Sequence, residues 1–334
     1  PQMLELRVDM LNHEEIFEVH KFPSCVDLPV ILTIRRERDG GEFKGGEYAR
    51  ALTFSRCINA SLEGKKSFDY IDLEDDFCVN ELEEACQILG IKIIRSHHSI
   101  DEPIKNYGEV IEKIKKQKHD IIKIASYSTS LADTQKLFEA SEKLKNEEHI
   151  LVAMGKYGMV SRILASHLDS KWVYSFSFDE IERRGMQDEA VESENLNSHY
   201  NFHKIRKKNF LYGIIGSSVN NAGSLAEHNL YFRKNNLACS YIPLSAKNIE
   251  EAIEMARYLG LKGLSVTAPF KIQAMQYASE IDESAKIVGS CNTLTFFGEC
   301  FFARAVAYNT DIVGFEMSLK AFMKEKLTSS LHAS

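Results

Sequence analysis

The chain has 334 residues and a formal net charge of −7, and 44% of its residues are hydrophobic. This length predicts two domains, each with enough apolar side chains to bury a core. The acidic balance gives no general attraction to nucleic acid, and no apolar run reaches membrane-spanning length. The seven cysteines include no CxxC pair, and no His/Cys cluster has metal-ligand spacing. We therefore expect free thiols in a reducing compartment and no bound metal.

Residues 1–190 alternate short β-rich runs with amphipathic segments, a pattern that predicts parallel strands covered by helices. The seven predicted strands are residues 4–9, 29–35, 70–74, 92–97, 121–125, 150–154 and 172–178. The clearest helical segments are residues 80–89, 107–117 and 134–144. A closed barrel of this kind has eight strands. Either the sheet is open or the chain begins one strand late, and a first residue of Pro rather than Met favours a late beginning.

A polar stretch at residues 191–209 is predicted to link this domain to a second one, residues 210–334. The second domain has a smaller α/β pattern. Its predicted strands are residues 211–216, 238–243 and 264–267, followed by a hairpin of residues 293–297 and 300–305. Its predicted helices are residues 225–234, 249–258, 271–278 and 311–326.

Polar side chains share one face of several predicted strands in the first domain, because successive strand residues point to opposite faces. Those on the first strand are Glu5, Arg7 and Asp9, and those on later strands are Thr33, Arg35, Asp72, Glu74, His98 and Lys123. Simpler interpretations exist for single members of this set. An arginine between carboxylates can belong to a purely structural salt-bridge cluster, and a lone lysine at a strand end commonly extends into water. A lysine, a histidine and several arginines and carboxylates at successive strand ends are a rarer combination. Barrel enzymes keep their chemistry at those ends.

Lys123 lies in the sequence DIIKIA, between β-branched neighbours. Desolvation lowers the pKa of a lysine and makes its amine nucleophilic. We therefore expect an amine that is uncharged often enough to act as a nucleophile.

Five motifs follow one another in the first domain: ELRVD at 5–9, LTIR at 32–35 with DGG at 39–41, SHH at 96–98, KIA at 123–125 and MGKYGMVSR at 154–162. In order and spacing they resemble type I 3-dehydroquinate dehydratases over residues 3–190. The resemblance implies a (β/α)8 TIM-type barrel whose first strand is missing here. It implies that Lys123 forms a Schiff base with the substrate ketone and that His98 is the general acid and base. The implied substrate-binding residues are Glu5, Arg7, Arg35, Arg162 and Gln187.

The chain departs from that family's pattern at one residue and in one segment. Asp39 precedes the double glycine, where glutamate is usual, and the lid at 183–187 reads RRGMQ instead of SAPGQ. The lid change and the missing strand favour weaker activity.

Four motifs in the second domain resemble the substrate-binding domain of shikimate dehydrogenase: GIIGSSVNNAGSLAEHN at 213–229, SVTAPFK at 265–271, GSCNTL at 289–294 and YNTDIVG at 308–314. The resemblance implies that Lys271 and Asp311 are the catalytic pair. It also implies that Ser224, Thr267 and Asn292 bind the substrate. The simpler interpretation is a turn at 267–269 and an ordinary helix cap at 309–311.

Two further substitutions fall in these motifs. Ala222 replaces a serine and Ser265 replaces an asparagine of the family pattern. Each lost hydrogen bond costs about 0.5–1.5 kcal/mol, so we expect weaker shikimate binding.

The resemblance implies no cofactor for the dehydratase and NADP(H) for the dehydrogenase. That family binds NADP(H) on a later Rossmann domain, marked by a glycine-rich turn between a strand and a helix. The last glycine of this chain is Gly314, so the cofactor-binding residues are expected to be absent from it. We expect the chain to bind shikimate-type acids without transferring hydride.

The leading hypothesis is a lyase that dehydrates 3-dehydroquinate to 3-dehydroshikimate, in a fused shikimate-pathway protein. The alternative is a catalytically weak or inactive binding protein for shikimate-type cyclic acids. A third hypothesis, another lysine-dependent barrel such as a class I aldolase, is disfavoured by the motif order. The expected partners are 3-dehydroquinate, 3-dehydroshikimate and shikimate, with no nucleic acid or membrane. The expected location is the cytoplasm for a bacterial protein and the plastid for a plant one.

Overall fold

The structure, a computed structural model, describes residues 2–59, 66–176, 192–298 and 304–331. The chain divides into two compact units, Pro1–Thr129 with Asp133–Ser193, and Ser130–Ala132 with Glu194–Ser334. In the described residues, each unit is built on one six-stranded sheet. Within the same residues, no helix combines the length and apolar character that a membrane crossing requires.

The sheet of the first unit has its strands side by side in chain order, and every neighbouring pair is parallel. The strands are β1 (Leu4–Arg7), β2 (Val30–Thr33), β3 (Tyr70–Glu74), β4 (Lys92–Ser99), β5 (Ile121–Tyr127) and β6 (His149–Met154). The helices are α1 (His13–Glu18), α2 (Glu47–Ile58), α3 (Asn80–Leu89), α4 (Tyr107–Lys115), α5 (Leu131–Ser141) and α6 (Met159–Ile163). Parallel strands in this order, joined by helices, form the curled half-barrel of a TIM-type fold. Six of the predicted strands are confirmed.

The seventh predicted strand, residues 172–178, is wrong in its described part. Residues 172–175 pair with no strand, and Phe176 forms an isolated bridge to Glu192. The open edge of β6 supplies the reason. The amide of Leu151 donates to Ser170 Oγ at 3.0 Å, and the amide of Ala153 donates to Ser161 Oγ at 2.9 Å. Two serine hydroxyls thus accept hydrogen bonds from backbone amides at the edge of β6. A seventh strand would need the same amides for its own backbone hydrogen bonds.

Side-chain alternation places different residues on the two faces of this sheet. On the face toward the helices, Leu32 and Ile71 pack in a large cluster. The opposite, inner face carries a smaller buried cluster of Ile31, Ile94, Ile121, Ala125, Ile150 and Val152. Lys123 lies between Ile121 and Ala125 in this alternation, so its side chain is on the inner face.

The second unit has a mixed sheet with the strand order β10-β12-β11-β9-β7-β8. Its strands are β7 (Phe210–Gly216), β8 (Cys239–Ser245), β9 (Gly263–Val266), β10 (Glu280–Ile281), β11 (Thr293–Phe297) and β12 (Arg304–Tyr308). Its helices are α7 (Ser193–Ser198), α8 (Gly223–Lys234), α9 (Ile249–Tyr258), α10 (Glu283–Val288) and α11 (Thr310–Leu331). Strand β7 is parallel to β8 and β9, and β11 is antiparallel to β9 and β12.

Most predictions for this unit are confirmed, with two corrections. The hairpin forms, and its second strand continues to Tyr308, beyond the predicted end at residue 305, with Phe297 paired to Arg304 and Thr293 to Tyr308. Residues 300–303 of the predicted strand lie outside the described residues. The predicted helix at 271–278 is a 3₁₀ segment, Gln273–Tyr277. The amide of Ala278, which follows it, donates to the carbonyl of Met275 three residues back. Strand β10 has only two residues, too few for a periodicity to be read.

Candidate active sites

A buried ionic cluster lies on the inner face of the first unit, at the carboxyl ends of β1–β5. Lys123 Nζ is 2.8 Å from Asp72 Oδ2 and 3.8 Å from Glu5 Oε1. Arg35 Nη2 is also 2.8 Å from Asp72 Oδ2, and its Nη1 is 2.7 Å from Glu74 Oε1. Lys123 is 5% exposed and Asp72 is fully buried. Three predicted site residues, Lys123, Arg35 and Glu5, are therefore together.

Parallel register explains this convergence. Thr33 on β2 pairs with Asp72 on β3, and Ser96 on β4 pairs with Lys123 on β5. Ser96 Oγ donates to Asp72 Oδ1, and Thr33 Oγ1 donates to Glu5 at 2.9 Å. Short hydroxyl side chains on neighbouring strands thus hold the carboxylates in place.

The charge state of Lys123 corrects the expectation from sequence. Burial lowers the pKa of Lys123, but the carboxylates of Asp72 and Glu5 outweigh burial and raise it above its ordinary value. Burial raises the pKa of Asp72, but Arg35 and Lys123 outweigh it and hold that pKa far below its usual range. The expectation of an amine that is often uncharged is wrong for this resting arrangement. The residues directly before and after Lys123 are apolar, but their side chains point to the other face of the strand. On the inner face, carboxylates lie next to the amine of Lys123.

His98 lies at the carboxyl end of β4, in register with Ala125 on β5. Its Nδ1 is buried and has no hydrogen-bond partner in the part of the chain that the structure describes. Burial, together with the positive charges of Arg35 and Lys123, holds the pKa of His98 well below its usual range. The imidazole is therefore neutral and keeps a nitrogen lone pair that can accept a proton.

The neighbouring His97 has a different environment. Its Nδ1 is 3.1 Å from Asp75 Oδ2, and Lys113 Nζ is 2.9 Å from the same oxygen. Alternation along β4 puts the two histidines on opposite faces, and His98 is the one on the face of Lys123.

Arg7 is engaged by a neighbouring carboxylate. Its Nε and Nη2 donate to Asp9 at 2.9 and 2.6 Å. Asp9 follows β1 in a 3₁₀ turn and also accepts the amides of Arg35 and Glu42. The strand alternation predicted through residue 9 therefore ends at Arg7, and the Arg7–Asp9 pair ties the end of β1 to the loop after β2.

The double glycine after Arg35 shapes that loop. Gly40 has a φ of 81°, which a side chain would strain, and a Cβ on Gly41 would lie 2.1 Å from the carbonyl oxygen of Arg35. Asp39, just before them, lies 2.6 Å from Arg36 Nε. The DGG motif thus makes a close turn against the backbone of Arg35.

The remaining two predicted substrate-binding residues of this unit lie elsewhere. Arg162 is on α6, and its Nη1 donates to the carbonyl oxygen of Ala153, near the end of β6, at 2.7 Å. Gln187 and the rest of the lid sequence 183–187 are outside the described residues.

Sequence reasoning did not select two residues that touch Lys123. Asp72 was visible as an inward carboxylate, but its double pairing with Lys123 and Arg35 depends on strand register. Tyr174 has its ring centroid 4.2 Å from Lys123 Nζ. No sequence signal pointed to it, since residues 172–178 were interpreted as an ordinary strand.

In the second unit, Lys271 Nζ is 2.6 Å from Asp311 Oδ2 at the start of α11. Asn292 Nδ2 donates to Asp311 Oδ1 at 2.9 Å and to Thr310 Oγ1 at 2.8 Å. The side chains of Lys271 and Asp311 are 36% and 59% exposed. The hydrogen bond from Lys271 holds the pKa of Asp311 below its ordinary value. Three predicted residues therefore form one hydrogen-bonded group that is open to solvent.

Ser224 and Thr267 lie on two neighbouring segments of this unit. Thr267 follows β9, and its amide donates to the carbonyl oxygen of Ile215 on β7 at 3.0 Å. Ser224 is at the start of α8, near the phenol of Tyr241 on β8. The hydroxyl oxygens of Ser224 and Tyr241 are buried and have no hydrogen-bond partner within the described ranges.

The glycines of β7 do not form a cradle for a dinucleotide phosphate. A Cβ on Gly216 would lie 2.6 Å from Thr267 Cγ2 and 2.7 Å from Val219 Cγ1, and one on Gly213 would lie 3.0 Å from the Ile242 carbonyl. Protein atoms fill the space that a phosphate would need. These two glycines therefore do not form a turn that could hold a dinucleotide phosphate. The described residues contain no group of three or more His, Cys, Asp or Glu side chains arranged to hold a metal ion.

Comparison with known proteins agrees with both units. A family model for type I 3-dehydroquinase matches residues 1–206, and one for the shikimate dehydrogenase substrate binding domain matches residues 214–294. The chloroplastic bifunctional 3-dehydroquinate dehydratase/shikimate dehydrogenase of Arabidopsis thaliana is 26% identical over 93% of this chain and 51% of its own length. The pentafunctional AROM polypeptide of Candida glabrata is 28% identical over 95% of this chain and 20% of its own length. The chain thus spans about half, or less, of the curated relatives it matches.

Among solved structures, the type I 3-dehydroquinate dehydratase from Clostridium difficile is similar in fold. It has a TM-score of 0.50 and 22% identity, and the match covers 59% of this chain and 79% of that one. Parallel strands in chain order, with an ionic cluster at their carboxyl ends, define the first unit as a TIM-type β/α fold of the kind that enzymes use. The family match covers more than half of the residues, and the chain belongs to the type I 3-dehydroquinase family.

Proposed function

We propose that the first unit is a lyase that dehydrates 3-dehydroquinate to 3-dehydroshikimate through a Schiff base on Lys123. The observation that carries this proposal is a buried amine on the same inner face as a neutral imidazole, His98. Membership of the type I 3-dehydroquinase family supports it.

The reaction begins when Lys123 loses a proton. The neutral imidazole of His98 is a base that can accept it. The free amine then attacks the substrate ketone and a C–N bond forms. One proton of the amine moves to the former carbonyl oxygen, and the imidazolium of His98 returns its proton to the same oxygen, which leaves as water. The imidazole of His98 is then neutral again. The product is a protonated imine.

Asp72 has two opposing effects on this step. At 2.8 Å it holds Lys123 in its charged form, which slows the attack. Because the imine also carries a positive charge on that nitrogen, the same carboxylate stabilises it once it has formed. A protonated imine draws electrons from the neighbouring carbon, so the arrangement favours the step after condensation.

His98 then removes a proton from the carbon next to the imine, and the electron pair forms an enamine. The enamine returns its electrons, the C–O bond to the hydroxyl one carbon further breaks, and the imidazolium protonates the departing oxygen to give water. Addition of water to the imine carbon releases 3-dehydroshikimate and restores the amine of Lys123. Overall, one water leaves the substrate.

We assign substrate contacts to the residues named from the family motifs. Arg162 and Gln187 are proposed for the carboxylate and hydroxyl groups, because an arginine fork matches a planar carboxylate. Glu5, Arg7 and Arg35 are proposed for the remaining hydroxyls. All three are engaged by neighbouring side chains, so their contribution includes holding the cluster in shape.

A turnover assay tests the proposal. Enone absorbance should rise when the chain is mixed with 3-dehydroquinate, and Lys123→Met should reduce the rate at least about 10⁴-fold. Lys116→Met is the matched control, since Lys116 is an exposed lysine at the end of α4, and it should retain the wild-type rate. Full activity in Lys123→Met would disprove the Schiff base. No turnover in the wild type, with retained binding of the substrate, would favour the binding-protein alternative.

We propose that the second unit binds a shikimate-type cyclic acid through Lys271, Asn292, Asp311, Thr267 and Ser224. The hydrogen-bonded group of Lys271, Asn292 and Asp311 supports this proposal. The glycines of β7 leave no room for a dinucleotide phosphate, so the proposed role is binding and not hydride transfer.

A further inference from the structure

The Lys123 amine contacts the ring of Tyr174 as well as two carboxylates. The ring centroid is 4.2 Å from Nζ, a distance at which a ring face attracts a cation. The ring also packs against the inner apolar cluster. Trp172, on the same segment, meets Tyr70 edge-on with ring centroids 5.3 Å apart. The segment is therefore anchored to the sheet beside Lys123, although it forms no strand.

The hydroxyl of Tyr174 is buried and has no hydrogen-bond partner among the residues that the structure describes. The indole of Trp172 lies near it without reaching hydrogen-bond geometry. Burial raises the pKa of Tyr174 to about 12, so the phenol is neutral and can donate a hydrogen bond. A buried hydroxyl without a partner is costly, and a ligand oxygen would relieve that cost.

We propose that Tyr174 is a positioning residue for the Lys123 reaction: its ring face stabilises the protonated imine, and its hydroxyl donates to an oxygen of the bound cyclic acid. This inference rests on the proposed dehydratase function. A ring face attracts a positive charge but cannot accept a proton. It therefore favours the charged imine without competing with His98 as a base.

Several charged or titratable groups face the amine and share control of its proton. They are Asp72 from β3, Glu5 from β1, Arg35 from β2, His98 from β4 and the phenol of Tyr174. A test must separate the ring face from these charged and titratable groups, and a comparison of two substitutions at position 174 does so.

Two variants of the full chain separate the ring from the hydroxyl. Tyr174→Phe keeps the ring and should raise KM for 3-dehydroquinate by about 2–10-fold, the value of one hydrogen bond. It also removes the effect of the phenol on the pKa of Lys123, so it should shift the pH midpoint of Lys123 acylation less than Tyr174→Leu does. Tyr174→Leu removes the ring face and should lower kcat as well. It should shift the midpoint of Lys123 acylation, followed by peptide mass, downward by about 0.5–1.5 pH units.

Acylation of Lys123 needs no turnover, so it tests the ring contact even if the chain proves inactive. No turnover and no substrate adduct in the wild type would disprove the dehydratase function. The proposal for Tyr174 would be overturned by a Leu variant with the wild-type midpoint, or by a Phe variant that shifts it as far as Leu does. Unchanged KM in Tyr174→Phe would remove the hydroxyl from the proposal.

Discussion

Replacing Asp72 with asparagine removes the carboxylate that lies 2.8 Å from both Lys123 and Arg35. The site is buried, so water and salt screen little of the lost attraction. Removing one partner of a buried ion pair costs about 3–5 kcal/mol, because the other charge stays buried without it. We expect the free energy of unfolding at pH 7 to fall by about that amount in urea titrations.

The same substitution should also make Lys123 easier to deprotonate. If the lost interaction divides equally between the two cations, the charged form of Lys123 loses about 1.5–2.5 kcal/mol. Its pKa then falls by about 1–2 units. The pH midpoint of Lys123 acylation measures this directly.

Asp76→Asn is the matched control for Asp72→Asn. Asp76 also pairs with arginines, at 2.7 Å from Arg36 and 2.5 Å from Arg38, but its side chain is 38% exposed. It should cost less than about 1 kcal/mol and leave the acylation midpoint unchanged. An Asp72→Asn variant as stable as the wild type, with the same midpoint, would refute the electrostatic reasoning.

Three further substitutions test other parts of the molecule. His98 has a folded pKa below its unfolded value of about 6.5, so the wild type loses stability as pH falls below that value, by at most about 1.4 kcal/mol per pH unit. Urea titrations of His98→Asn should show a smaller loss of stability between about pH 6.5 and 5. Equal slopes of unfolding free energy against pH in the variant and the wild type would contradict the lowered pKa of His98. Gly41→Ala places a Cβ 2.1 Å from the Arg35 carbonyl oxygen and should lower the unfolding free energy by about 1–3 kcal/mol, whereas wild-type stability would show that the loop adapts. Lys271→Met breaks an exposed pair with Asp311, so stability should change by less than about 1 kcal/mol while calorimetric affinity for shikimate falls about tenfold or more. Unchanged affinity would remove this group from the site.

The inner face of the first unit was predictable from sequence because strand alternation has a period of two residues. Ile121, Lys123 and Ala125 share a face by position alone, and the structure has them on the inner face. In the structure the same alternation places His98, and not His97, on the face of Lys123. It failed after Arg7, where a 3₁₀ turn ends the strand and brings Asp9 back onto Arg7.

The charge on Lys123 was not predictable, because it depends on which strands are neighbours and in which register. Asp72 contacts both Arg35 and Lys123, although the three residues come from three different strands. The contact with Tyr174 was also hidden, since it comes from a segment outside the sheet. Local sequence describes the faces of strands, but long-range contacts decide the pKa.

Borohydride trapping shows directly whether Lys123 condenses with the substrate ketone. The chain is incubated with 3-dehydroquinate and borohydride, and the reduced adduct is located by intact mass and peptide mapping. A Schiff base on Lys123 predicts one substrate adduct on the peptide that contains Lys123, and no adduct in Lys123→Met. An adduct on another lysine, or none despite measurable turnover, would contradict it.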